Sequence, residues 1–234
     1  MLNLQTWKWG KKIIPEEIRK EHRHISSTHE IYCTNIQDFS KWKKHDVALV
    51  TGDGLSLIED VKRFESWGIP HDLFCCNRSL LYFQKPIDHW AAVDSEECTW
   101  LSQYYNPDNG HFLRHSIGGC LGFDAYWQAK AVQTEFGKRL WIGNTGYFAI
   151  LVALKIGYQK VIAAGMPLDR SRHWYDAEGA EGPTWLGDVY TIWLDFKKKS
   201  PDSYKTRSLS GYSACILGDA TKEWVLDDNL QNSK

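Results

Sequence analysis

The chain lacks most of the features that mark a specialised class. Its 28 Lys and Arg stand against 29 Asp and Glu, a formal net charge of −1. A protein built to grip a nucleic-acid backbone carries a basic excess, so no nucleic-acid partner is expected. The longest clean apolar run, Phe148–Leu154, falls far short of the roughly 20 residues a membrane helix needs, so no membrane span is expected. The opening residues MLNLQTWKWGKK hold no apolar core of the signal-peptide kind, which points to a cytoplasmic protein. The six cysteines (33, 75, 76, 98, 120 and 215) form no C-x-x-C and no paired metal spacing, and read as buried free thiols in a reducing compartment. Repeats and low-complexity tracts are missing as well.

What is abundant is aromatic surface: Phe, Trp and Tyr make up 14% of the chain, with 12 Trp and 11 Tyr. Such rings serve cores, interfaces and stacking on bases or sugars, and a count does not choose among these. A length of 234 residues suits one large domain, or one with an extension. Residues 1–45 are polar and basic in patches, and read as an N-terminal extension packing on the main domain. A helix is expected near 15–23 and a strand near 30–34.

From Asp46 the texture changes, and 46–234 reads as the main domain. Val47–Thr51 is an apolar run of the kind a strand buried on both faces shows. Gly52-Asp53-Gly54 follows, then Ser56 as N-cap of a helix to about Trp67, closed by Gly68-Ile69-Pro70. Further strands are expected at 73–77, 89–94, 111–117 and 160–164. A helix is expected at 124–136, with Gly118, Gly119 and Gly122 blurring its approach. Another helix runs from Tyr147 to Ile156 with Gly157 as its C-cap. Residues 166–187 read as a long mobile loop, followed by a helix at 189–199, a strand at 204–209 and a short helix at 221–226. Strand, glycine turn, helix and strand in alternation predict an α/β fold, a mostly parallel sheet with helices on both faces. Such sheets bind ligands beyond the carboxyl ends of their strands.

The candidate site residues therefore stand at strand ends. Gly52-Asp53-Gly54 with Ser56 matches neither G-x-G-x-x-G nor a Walker loop, yet its glycines permit close backbone approach at a helix N-terminus. Asn77 ends one strand and can bond a ribose, a base edge or a neighbouring loop. Asp94 ends another and can hold Mg²⁺ or a ribose hydroxyl, whereas Glu96 and Glu97 suit a solvated helix start. Asn144-Thr145-Gly146 is a second small-residue turn at a helix start. In the loop after Gly165, His173 has the chemistry of a general base at neutral pH. Asp169 is a metal or ribose ligand by type. Arg170 and Arg172 can clamp a phosphate or carboxylate, and Trp174 and Tyr175 can stack on a ring, as can Trp185. Trp67, Trp90 and Trp141 fall beside strands or helix ends and suit a core. His111 and His115 have the i, i+4 spacing of two ligands on a helix, but the segment reads as a strand and no metal site is predicted.

Three segments carry a resemblance. TGDGLSL (51–57), FCCNRSL (74–80) and NTGYFAILVALKIGYQKVIAAGMPLD (144–169) are similar, in order and spacing, to motifs of a Rossmann-like superfamily. It unites bacterial CMP-sialic-acid-dependent sialyltransferases, motility accessory factors and hydroxymethylpterin diphosphokinase-like proteins. The closing YKTRSLSGYSACILGDATKEWV resembles the tail of short phage and bacterial members without assigned function. The resemblance covers roughly 46–226 and implies a Rossmann-like nucleotide-binding domain.

By position it implies that Gly52, Asp53, Gly54 and Ser56 approach phosphates and ribose, that Asn77 and Asp94 contact the nucleotide, and that Asn144, Thr145 and Gly146 lie beside sugar or phosphate. The loop holding Asp169, Arg170, Arg172, His173, Trp174 and Tyr175 would be a lid over the acceptor. The implied function is a nucleotide-sugar-dependent transferase with a CMP-type donor and His173 as base. The alternatives are a Mg²⁺-dependent pyrophosphokinase or a non-catalytic accessory protein. Asp53 replaces the superfamily's Asn and Leu55 its Pro. A carboxylate there repels phosphate unless a metal intervenes, which favours Mg²⁺. The basic residue expected before the second turn is replaced by Ile142 and Gly143.

Overall fold

The computed structural model describes residues 29–94, 99–101, 112–117, 122–129, 132–134, 137–139, 144–183 and 186–227. The expected helix at 15–23, and Glu96, Glu97, Cys98, His111, Gly118, Gly119, Cys120, Trp141, Ile142, Gly143 and Trp185, lie outside these residues.

The apolar runs become strands: β1 (Ile31–Cys33), β2 (Val47–Thr51), β3 (Asp72–Cys76), β4 (His89–Ala92), β5 (Leu113–Ile117), β6 (Ala125–Ala129), β7 (Val132–Thr134), β8 (Gly137–Arg139), β9 (Lys160–Ala164) and β10 (Thr206–Ser208). Eight of them form one sheet in the order β1-β6-β5-β4-β3-β2-β9-β10, while β7 and β8 pair as an antiparallel ribbon. Every pairing in the large sheet is parallel except β1 with β6 at the edge. The helices are α1 (Leu57–Glu65), α2 (Thr145–Ile156), α3 (Leu186–Lys199), α4 (Gly211–Leu217) and α5 (Lys222–Leu226). This is an α/β fold with a mixed, mostly parallel sheet, and no helix among the described residues is long and apolar enough to cross a membrane.

Strand side chains alternate between two cores, as the pleat requires. Ala48, Val50, Phe74, Cys76, Ala91, Val161 and Ala163 face α2, α3 and α4. Leu49, Leu73, Cys75, Trp90, Ala92, Ile162 and Ala164 face α1 and α5. Cys75 and Cys76 therefore point to opposite faces. The four described cysteines form no disulfide, but Cys33 and Cys215 are only half-buried, not the buried thiols expected. Trp90 is core, and half-buried Trp67 packs edge-on against Phe64.

The expected helix at 124–136 is wrong. Ala125–Ala129 is a strand with Ala125 and Trp127 buried on one face, and half-buried Tyr126 and exposed Gln128 on the other, a period of two rather than 3.6. Its aromatic residues favour a strand, and β1 and β5 supply partners on both sides. Other differences are smaller. The strand expected at 204–209 shrinks to β10, preceded by a 3₁₀ turn at Ser203–Lys205. Helix α4, which follows β10 directly, was not foreseen. Asn144 caps α2 by accepting Tyr147 N–H, and Gly157 ends it at φ 104°.

A polar chain runs through the first core. Trp127 Nε1 donates to His115 Nδ1 at 3.1 Å, which puts the His115 proton on Nε2 and aims it at His89 Nδ1, 2.9 Å away. His89 Nε2 then donates to the Tyr158 hydroxyl (3.1 Å) and the Trp42 carbonyl (3.2 Å). The Tyr158 hydroxyl donates to Asp72 Oδ2 at 2.6 Å. Asp72, His89 and His115 are fully buried, and Phe74 stacks on His89 at 3.9 Å. His115 thus spends both ring nitrogens inside the core. No group of three or more His, Cys, Asp or Glu among the described residues is arranged to hold a metal.

Candidate functional site

After β2 the chain passes to β3 on one side, and after β9 to β10 on the other, so the crossovers part between these two neighbours. In an open parallel sheet that divergence leaves a crevice beyond the carboxyl ends. A cleft of about 430 Å³ lies there, walled by the β2 turn (Gly52, Asp53, Gly54), Asn77 after β3, Asp94 after β4, the start of α2 (Asn144, Thr145, Gly146) and the β9 turn from Gly165 to Asp169. Ser171, His173 and Pro183 close one side.

The structure gathers ten of the expected residues there: Gly52, Asp53, Gly54, Asn77, Asp94, Asn144, Thr145, Gly146, Asp169 and His173. Ser56, Arg170, Arg172, Trp174 and Tyr175 do not line it, for reasons of bonding. Ser56 does not cap α1 through its side chain. Its hydroxyl donates to Asp60 Oδ2 at 2.9 Å, beneath the cleft. Arg170 is exposed. Arg172 Nη1 donates to the carbonyls of Asp176 and His173. Trp174 packs on Tyr82 and the second core, and Tyr175 lies between His173 and Arg78. The loop expected to be mobile is laced down. Trp174 N–H donates to the Asp53 carbonyl at 3.0 Å, and His173 forms an antiparallel bridge with Gly54.

The glycines of the β2 turn pack tightly against the β9 turn. Gly52 N–H donates to the Ala164 carbonyl and Gly54 N–H to the Gly165 carbonyl, both at 2.8 Å. A Cβ on Gly54 would meet Pro167 Cδ at 2.4 Å and the Gly165 oxygen at 2.7 Å. Gly54→Ala is therefore expected to cost about 2 kcal/mol, the usual scale of overpacking. An unchanged urea midpoint would refute this account of the turn.

Two residues around the cleft hold left-handed backbone, Asn77 at φ 46° and Leu168 at φ 51°. Asn tolerates that region, but a branched Leu does so at a cost, and such strain concentrates at functional sites. Asn77 Oδ1 is buried without a hydrogen-bond partner.

His173 pairs with Asp176. Nδ1 lies 2.9 Å from Asp176 Oδ2, which also accepts His173 N–H at 2.8 Å. Burial alone would raise the Asp176 carboxyl. The His173 hydrogen bonds, with the charges of His173 and Arg172, outweigh it and hold the group below the usual carboxylate range. An ionised Asp176 only accepts, so Nδ1 carries a proton, and in the neutral imidazole Nε2 then holds the lone pair, the arrangement of a carboxylate-oriented base.

Asp60 was missed in the sequence. Buried on the inner face of α1, it accepts Gly165 N–H (2.8 Å), the Ser56 hydroxyl and the Ser210 hydroxyl (2.6 Å). It ties α1, the β9 turn and the start of α4 together under the cleft. A carboxylate among Leu57, Val61 and Phe64, at helical spacing, was the available signal. Arg78 was missed as well, though its segment was singled out.

The charge of the cleft is one-sided. Among the described residues its walls carry Asp53, Asp94, Asp169 and His173, and no Lys or Arg.

No family model, curated protein or solved structure matches this chain.

Proposed function

We propose that the cleft binds a nucleotide and that His173 activates an acceptor hydroxyl for group transfer from a nucleotide sugar. The observation that carries this reading is the His173–Asp176 pair on the wall of a crevice between diverging crossovers. The start of α2 offers first-turn amides and the positive end of a helix dipole to a phosphate. The α2 start takes the phosphate rather than the β2 turn, because the Gly52 and Gly54 amides are already spent on β9 carbonyls. Asn77, with its unbonded carboxamide oxygen, suits a base or ribose donor. His173 Nε2 takes the acceptor's hydroxyl proton while the acceptor oxygen bonds the anomeric carbon. The bond from that carbon to the phosphate oxygen breaks, and the nucleotide leaves with the electron pair. Asp176 stabilises the imidazolium that forms. The fold in this reading is Rossmann-like and the protein cytoplasmic.

A second reading, Mg²⁺-dependent pyrophosphoryl transfer, draws on the acidic walls. Phosphates beside Asp53 and Asp94 need a countercharge, and Mg²⁺ takes one or two carboxylates together with substrate phosphates. Bound there, the ion would neutralise phosphate charge.

Thermal-shift measurements with CMP, CDP, UDP, GDP and ATP, with and without Mg²⁺, separate the readings. Stabilisation by CMP without metal supports sugar transfer, and stabilisation by ATP only with Mg²⁺ supports the second reading. No shift with any nucleotide would sink both and leave an accessory protein that kept the fold. His173→Ala is expected to abolish turnover, a loss on the order of 10²–10⁴-fold, while sparing nucleotide binding. Unchanged turnover removes His173 from the mechanism.

A further inference from the structure

Arg78 stands where three parts of the site meet. It lies on the 3₁₀ turn Asn77–Tyr82 that leaves β3. Its guanidinium carbon is 4.9 Å from the ring centroid of Trp100 and 4.9 Å from that of Tyr175. Tyr175 in turn stacks on His173, with centroids 5.2 Å apart and planes 8° from parallel. Trp100, Arg78, Tyr175 and His173 thus form one continuous stack that ends on the imidazole. The Arg78 backbone N–H also donates to Asp53 Oδ2 at 3.3 Å, so the same residue touches the β2 turn.

We propose that Arg78 is the positioning residue for His173, clamping Tyr175 so that the segment 170–176 stays shut and the imidazole plane is fixed at the cleft. Its role in turnover rests on His173 being the base. Its effect on the ring does not.

Asp176 fixes one ring nitrogen but leaves the imidazole free to tilt about that bond. The parallel Tyr175 face removes the tilt only if Tyr175 is itself held. Tyr175 and Trp174 meet edge to face, and Trp174 is anchored in the second core, so the base of the segment is already secured. Arg78 holds the outer face of Tyr175. A guanidinium suits this place because it is planar and can stack on both rings, whereas an ammonium is a point charge.

The test uses the full chain without ligand. The His173 imidazole signal is identified by NMR through its loss in His173→Ala, and the segment is probed by limited proteolysis. Arg78→Ala is expected to move the His173 Cε1–H resonance toward that of a free imidazole and to raise cleavage within 170–176 about threefold, the scale of the one cation–π contact, to Tyr175, that holds the segment. Arg78→Lys should fall between, because it keeps the charge and loses the plane. A His173 resonance and cleavage rate left unmoved by Arg78→Ala overturn the assignment. If Arg78→Ala does not fold, an unmoved His173 in Arg78→Lys overturns it equally. Absence of any nucleotide-induced shift in the wild type would instead defeat the proposed function and leave the coupling of Arg78 to His173 standing.

Discussion

Between about pH 6.5 and about pH 4.5 the buried His89 imidazole is expected to cost the fold roughly 2 kcal/mol of stability, with buried His115 adding to the loss in the same direction. Burial pushes His89 down to about 3 against an ordinary value of 6.5, and burial followed by the neighbouring His89 holds His115 far below that value. A depressed histidine refuses the proton that its unfolded form accepts. Its contribution is therefore complete above the unfolded value and is lost as pH falls from 6.5 toward the folded value. His29 and His71, also lowered chiefly by burial, act in the same direction. Asp60 acts in the opposite one, because burial raises its carboxyl and its protonation favours the native state.

Against a typical total of about 5–15 kcal/mol, such a loss is a sizeable fraction of the stability. The check is the slope of unfolding free energy against pH, from urea titrations. His115→Asn, which keeps an acceptor for Trp127, should lower that slope between those two pH values, whatever it costs at neutral pH. A slope identical to the wild type would show that the buried pair does not carry the acid sensitivity.

Asp60→Ala is expected to destabilise the protein by about 3–5 kcal/mol, because it strands donors from three separate elements at once. The Gly165 amide is a buried donor with its bond to Asp60, and the Ser56 and Ser210 hydroxyls converge on the same oxygen. At this chain length the loss corresponds to a fall in Tm on the order of 10 °C. The β9 turn, no longer pinned through Gly165, should also loosen one wall of the cleft. Asp60→Asn retains one carbonyl acceptor and should lose no more than about half as much. Thermal and urea unfolding of both variants decide the matter, and equal losses would mean that the carboxylate's charge, which Asn lacks, rather than a single carbonyl acceptor sets the effect.

Where an element's identity depends on its own residues, it was legible. The short apolar runs at 47–50, 73–76 and 161–164 have no polar face, so they read as strands covered on both sides, the environment of a parallel sheet. Asn144 and Gly157 bracket a helix through chemistry confined to its two ends. The gathering of Gly52, Asn77, Asp94 and Thr145 at one crevice followed from the sheet's direction alone, since each stands at a strand's carboxyl end or at a helix start.

Tertiary structure decided what depends on a distant partner. The segment 125–129 is compatible with a helix by composition, and became a strand because β1 and β5 offer hydrogen bonds on both edges. Ser56 looked like a helix cap until Asp60 and Ser210 claimed its hydroxyl. Trp174 and Tyr175 looked like a platform for a ligand's ring, but Trp174 is taken by the core and Tyr175 by Arg78 and His173. Asp60 shows locally only that a carboxylate sits on an apolar helix face, and Arg78 shows nothing, because the partners that define their roles lie as far away in the chain as Gly165 and Tyr175. The aromatic excess is divided in the same way. The sequence by itself determined that most of this aromatic surface must find apolar cover, since its exposure is costly in water, and contacts across the fold decided which rings became core, which formed the clasp beside the cleft and which, like Tyr32, stayed exposed.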